Sequence, residues 1–156
     1  DLSVYDNLAS IYLDNKKYVK GGFVNKKVLS AYVKECIKEF EIACDSEQSP
    51  VRMLSGGNIQ KVIVAREFTS GANLIIANQP TRGIDVGAKF EIYKLITGMV
   101  KENKAVIMVS SELPELLGMC SRIYIMCQGR ISGCITREEF SQETIMMYAT
   151  GAKVQD

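Results

Sequence analysis

From residue 71 to residue 135 short apolar runs alternate with helical stretches, and no other feature of the chain restricts its fold so strongly. Leu74 to Ala77 reads as a buried strand, Ala88 to Val100 as a helix with Ile92, Tyr93, Ile96, Met99 and Val100 on one face, and Ala105 to Ser110 as a second strand. Pro114 to Met119 is a short helix with Pro114 suited to its first turn. Arg122 to Met126 is a third strand, Gln128-Gly129-Arg130 a turn, and Ile131 to Ile135 a fourth strand; a capping box at Thr136 and Glu139 starts a terminal helix. Strand, helix, strand, helix, strand predicts a parallel α/β sheet whose functional residues lie at the carboxyl ends of the strands.

The first part of the chain has a different texture. Val28, Tyr32, Cys36 and Phe40 recur every fourth position with Leu29, Val33 and Ile37 beside them, which predicts a helix with a wide apolar stripe. Ser3 can cap a helix near Val4 to Leu13, and Asn15 to Gly22 reads as a loop. Lys16-Lys17 and Lys26-Lys27 read as solvated loop edges and helix ends. Two subdomains are therefore expected, a helical one over residues 1–68 and an α/β one over 69–156.

Composition narrows the chemistry. The 156 residues are 47% hydrophobic and 24% charged with a net charge of +1, which gives no electrostatic case for nucleic acid or for a membrane surface. There is no histidine, so imidazole bases, Ser-His-Asp and Cys-His dyads and His-ligated zinc are excluded. The five cysteines, Cys36, Cys44, Cys120, Cys127 and Cys134, show no CxxC spacing; they read as small core residues, and no metal site is expected. The seven methionines read as core filler. No apolar run approaches the roughly 20 residues of a membrane span. A start at Asp1-Leu2-Ser3-Val4 is expected of a chain that begins inside a longer protein.

The strongest local feature is Leu54-Ser55-Gly56-Gly57-Asn58-Ile59-Gln60-Lys61-Val62, followed without a break by good helix formers. Ser55 stands where a helix begins, and two glycines leave its backbone bare, so unpaired N–H groups and the positive pole of the helix dipole face any approaching anion. A plain N-cap with a Gly-rich turn is the alternative.

This stretch resembles the signature motif of ABC-type ATPases, in the Asn-containing version of sugar importers. Leu74 to Thr81 resembles the family's Walker B strand, Arg82 to Lys89 its D-loop, and Ser110 to Glu115 lies where its switch histidine occurs. The resemblance covers residues 2 to 151 and is nearest to the second, carboxyl-terminal cassette of two-cassette monosaccharide importers of the ribose and galactose/methyl-galactoside type. It implies a fragment of a P-loop NTPase: the helical signature subdomain and the later half of a RecA-like parallel sheet core.

Departures from the family pattern matter as much. No Gly-x4-Gly-Lys-Ser/Thr loop occurs, so the Walker A motif, and the Q-loop that accompanies it, are not here. The Walker B acids are replaced by Asn78-Gln79, and the switch position holds Ser111. An amide cannot take a proton, and loss of a positioned base costs roughly 10² to 10⁴ in rate. Asn78, Gln79 and Ser111 are thus expected to be catalytically incompetent, while Ser55, Gly56, Gly57 and Asn58 remain able to bind nucleotide. Asp85 is either an ordinary cap before Val86 or a D-loop acid at the cassette interface.

In the family, cassettes dimerise head to tail and each signature closes over ATP held by its partner. The resemblance therefore implies ATP with Mg²⁺ in the full assembly, and the first cassette of the same full-length chain, permease subunits and, indirectly, a sugar-binding protein as partners. It also implies a peripheral place on the cytoplasmic face of the membrane. An uncovered sheet would invite self-association. A regulatory domain on the same fold, or a soluble non-transport ABC ATPase, remain the alternatives.

Overall fold

A computed structural model of the chain describes residues 2–13, 18–20 and 23–152. It divides into two compact units, Asp1–Ile107 and Met108–Asp156.

The first unit opens with α1 (Val4–Ala9), which continues as one 3₁₀ turn to Tyr12. Ser3 caps it as the sequence predicts. The Asp6 amide donates to Ser3 Oγ at 3.0 Å, and Asp6 Oδ2 accepts from both the Ser3 amide (3.0 Å) and the Ser3 hydroxyl (2.7 Å). These bonds to Ser3, side chain before backbone, hold the Asp6 carboxyl below its ordinary 3.8. A carboxyl depressed by folding adds stability above its unfolded pKa and loses it as pH falls through the folded value. Asp6→Asn should therefore lower stability near neutrality and bring variant and parent together at acid pH. Thermal melting at stepped pH checks this; a constant gap down to the lowest pH would contradict it.

Part of the predicted loop at 15–22 lies outside the described residues. Within it Val19–Lys20 form β1, a strand rather than loop, which pairs antiparallel with β2 (Phe23–Val24), Val19 opposite Val24. Asn25 then caps α2 (Lys26–Glu39), its side chain accepting from the Val28 amide. The buried face of α2 is Leu29, Val33 and Cys36, leading on to Phe40, whereas Val28 is 38% exposed. A strict four-residue repeat drifts by about 120° over three steps at 100° per residue, so the 4-3-4 spacing of 29, 33, 36 and 40 keeps one face, and the row from 28 starts off it and reaches it only at Cys36 and Phe40. Those side chains join Val4, Leu8, Val62 and Ala65 in one core. Val62 and Ala65 belong to α3 (Gly56–Thr69).

After α3 come β3 (Leu74–Asn78), α4 (Val86–Lys101) and β4 (Ala105–Val109), a strand, helix and strand in which β3 and β4 form a parallel pair. The Ala105 amide donates to the Asn73 carbonyl at 2.8 Å where the two strands start. The expectation that residues 74–77 are buried is corrected, because Leu74 and Ile76 are 51% and 66% exposed. Alternate side chains of a strand point to opposite faces, and this face has no element over it among the described residues. On α4, Ile92, Ile96 and Met99 are buried as read, while Val100 faces outward.

The second unit holds α5 (Leu113–Met119), β5 (Arg122–Cys127), β6 (Arg130–Thr136) and α6 (Gln142–Ala149). Here the third strand does not extend a parallel sheet; it pairs antiparallel with the fourth, Ile123 opposite Ile135. The cause is local: Gln128 and Gly129 have φ of 48° and 76°, the two-residue turn whose twist matches a hairpin. Ile123, Ile125 and Ile135 pack with Ile145 and Tyr148 of α6. Gly133 is required there, since a Cβ would stand 2.6 Å from the Tyr148 ring. The Thr136–Glu139 capping box forms as read, but it opens only a 3₁₀ turn over Arg137–Glu139, and Ser141 caps α6.

Two composition readings need correction. Met99 is buried, but Met53, Met126, Met146 and Met147 are exposed, so methionine is not uniformly filler. Cys36 is buried while the other four cysteines are half-buried, and all five are free thiols. Burial pushes the Cys36, Cys44 and Cys120 thiols up, which keeps them protonated and unreactive. No helix among the described residues is long and apolar enough to cross a membrane.

Candidate functional site

The tip of α3 is set by the chain that enters it. Pro50 leads into a 3₁₀ turn, Val51–Met53; Leu54 and Ser55 are extended, and Ser55 becomes the N-cap. Its Oγ accepts from the Asn58 amide at 3.4 Å and from Asn58 Nδ2 at 2.9 Å. Asn58 Oδ1 in turn accepts from the Ala43 amide at 2.8 Å, tying the tip to the segment after α2. Both contacts at Ser55 Oγ use it as acceptor, which leaves its O–H able to donate. Ser55 and Gly56 are exposed, and the first turn of this 14-residue helix carries no acid to offset its positive pole.

The two glycines do different things. Gly56 is exposed, and a Cβ there would meet Ile84 Cγ2 at 3.3 Å; Gly57 is buried, and a Cβ would stand 2.7 Å from Ala88 Cβ. The second glycine therefore does not leave its backbone bare, as the sequence reading had it, but lets α3 and α4 touch. That contact brings the Ser55 tip beside the start of α4. There Asp85 is the N-cap, its Oδ1 accepting from the Ala88 amide at 2.9 Å, and its side chain is exposed.

β3 ends on Asn78, which is exposed. Gln79 follows with φ of 50°, a left-handed conformation uncommon outside glycine and costly to hold for a side chain of this type. Pro80 and Thr81 are buried beneath this bend, and the Arg82 amide closes it on the Gln79 carbonyl at 3.1 Å. The rigid bend presents two neutral amides where a general base or a metal ligand would need a carboxylate. Ser111 lies in the second unit just past β4 and is exposed; beside it Ser110 Oγ accepts from the Glu112 amide at 3.0 Å. Of the residues singled out in the sequence, Ser55, Gly56, Gly57, Asn58 and Asp85 thus share one locality through the contact of α3 with α4.

Sequence reading missed the burial of two charged residues, Lys61 at 7% exposure and Glu115 at 4%; that Glu115 is an acid in the first turn of a helix was legible and holds. A signal for Lys61 existed: it falls on the buried face of α3 that Gly57, Val64 and Ala65 define. Nothing comparable marked the burial of Glu115 in the first turn of α5. Chemically, the α3 tip can donate hydrogen bonds to an anion, and nothing at the end of β3 can accept a proton.

No family model matches the chain. Its fold is the α/β fold of solved ATP-binding cassettes. A dimeric post-hydrolysis structure of the ATP-binding cassette MJ0796, bound to ADP and Pi, aligns with a TM-score of 0.71 at 23% identity, over 89% of this chain and 58% of that one. In sequence the chain is 48% identical over 150 residues to the galactose/methyl galactoside import ATP-binding protein MglA of Clostridium tetani, covering 96% of this chain and 29% of that protein. It is 43% identical over 151 residues to the ribose import ATP-binding protein RbsA of Oceanobacillus iheyensis, covering 97% and 30%. The chain thus spans less than a third of the length of these curated relatives.

Proposed function

We propose that this chain is the carboxyl-terminal part of the second cassette of a monosaccharide importer ATPase, and that it supplies a signature tip to ATP held by another cassette. The observation that carries the reading is the α3 tip: an exposed Ser55 whose hydroxyl accepts two hydrogen bonds and keeps its donor, at the start of a 14-residue helix without an acid in its first turn. Charge-assisted hydrogen bonds from such a tip contribute about 1.5 to 3 kcal/mol each, enough to sense a γ-phosphate. The sugar-import names of the relatives and the dimeric, ADP- and Pi-bound state of the solved cassette support the same reading.

In this arrangement Ser55, Gly56, Gly57 and Asn58 face the partner's nucleotide, and Asp85 lines the junction between cassettes. The residues present fit a phosphate at the α3 tip. They do not fit a catalytic Mg²⁺ site at the end of β3, because Asn78 and Gln79 carry no charge there, and Ser111 offers no imidazole. The importer would hydrolyse ATP with Mg²⁺ at a composite site whose phosphate loop, Q-loop and general base come from elsewhere in the assembly. Residues 1–68 would form the helical signature subdomain and 69–156 the core portion. The remaining partners would be the permease subunits and, through them, a sugar-binding protein, with the assembly on the cytoplasmic face of the membrane.

Two readouts on the purified 156-residue chain test this. It should retain almost no radiolabelled ATP and hydrolyse none above background, and Asn78→Asp with Gln79→Glu should leave that unchanged, since no phosphate loop is present to hold substrate. Unaided turnover would overturn the proposal. The exposed Leu74, Ile76 and Ile107 should also make the chain self-associate, so its sedimentation coefficient should fall on dilution; a strictly monomeric species at all concentrations would count against that part.

A further inference from the structure

We infer that Lys61 is a positioning residue that locks the tip of α3 to the start of α4, so that Ser55–Gly57 and Asp85 move as one rigid bracket. The inference rests on the proposal that this tip meets a nucleotide phosphate.

Lys61 lies in the interior of α3 and is buried. Its Nζ pairs with Glu91 Oε2 of α4 at 2.6 Å and donates to the Glu41 carbonyl at 2.9 Å. Glu41 lies just past α2 with φ of 50°, outside the helical range. One ammonium therefore joins three segments. The pair is buried only at its lysine end, since the Glu91 side chain is 48% exposed; such a pair is a weak source of stability compared with apolar packing, and its better attested use is to specify register.

The register in question can be read along the two helices. Gly57 touches Ala88, and Lys61 pairs with Glu91. The step from one contact to the next is four residues on α3 and three on α4, about one helical turn on each. A close backbone approach at one level and an ion pair at the next fix both the separation of the helices and their sliding. Either contact alone would leave one of these motions free. Because Ser55 and Asp85 cap these same two helices, the bracket fixes one tip against the other.

The test is steady-state ATP hydrolysis by the assembled importer carrying variants of this chain, with circular dichroism to confirm folding. Lys61→Met keeps length and apolar packing but drops the charge. It should lower kcat about tenfold, as expected for a small misplacement of phosphate donors, with KM for ATP moved less than about twofold. Lys61→Arg should recover most of that loss. Glu91→Gln, at a half-exposed side chain that is no threat to folding, should lower kcat in the same direction. An unchanged kcat in Lys61→Met and Glu91→Gln, a loss carried equally by KM, or an arginine no better than methionine would each overturn the inference. Ser55→Arg, run alongside, separates the two levels. Inactive Ser55→Arg with an undisturbed Lys61→Met defeats the bracket alone, whereas active Ser55→Arg defeats the proposed site and the bracket with it.

Discussion

Ser55→Arg should reduce ATP hydrolysis by the assembled importer by about 10² to 10³, the loss found when a preorganised donor to a developing negative charge is removed. The substitution deletes the exposed Ser55 hydroxyl, which accepts from Asn58 and keeps its own O–H to donate, and it places a long side chain beside the exposed Gly56. It also deletes the cap, which by itself costs about 0.5 to 2 kcal/mol of stability. Ser55→Asp separates the two effects. Aspartate is a strong N-cap, so stability should hold, but its charge stands where the phosphate would, and turnover should fall as steeply. Wild-type turnover in either variant would show that the tip does not meet the nucleotide.

Gly57→Val should destabilise the first unit by about 1 to 3 kcal/mol, the usual cost of overpacking a tight contact. A Cβ at position 57 would stand 2.7 Å from Ala88 Cβ, and the obstacle is a short side chain on a helix rather than the flexible end of a long one. The helices must separate, or α3 must shift along α4. Either motion also strains the Lys61–Glu91 pair one turn further on. Ala88→Gly removes the opposing Cβ, so the double variant should recover much of the loss despite about 1 kcal/mol for a glycine inside α4. Urea unfolding of the four proteins forms a double-mutant cycle. Additive losses would mean that the two residues do not meet.

Elements set by local signals were legible in the sequence. α3 with its Ser55 cap, α4, and the two strands around it followed from periodicity and capping residues within a few positions of each other. Of the two readings that failed, one depended on partners distant along the chain and the other on a local turn. Leu74 and Ile76 look like core residues because apolar strands usually are, yet the exposed face of β3 is decided by what covers it. The antiparallel pairing of β5 with β6 was written in Gln128-Gly129, a two-residue turn that the alternation of strands and helices led away from.

The candidate site divides in the same way. The helix tip could be read from Ser-Gly-Gly followed by helix formers, and the missing acids could be read directly from Asn78-Gln79. The separate work of the two glycines could not, since Gly57 owes its place to Ala88, thirty-one residues further on. Nor does a lysine announce its own burial; Lys61 is tolerated inside because Glu91 and the Glu41 carbonyl reach it there.

The most direct measurement is a structure of the assembled importer trapped with a non-hydrolysable ATP analogue. The account predicts Ser55 Oγ and the amides at the start of α3 within hydrogen-bonding distance of a γ-phosphate whose nucleotide is held by the other cassette. A trapped structure in which that tip faces bulk solvent, or in which the nucleotide sits against Asn78 and Gln79 of this same chain, would contradict it.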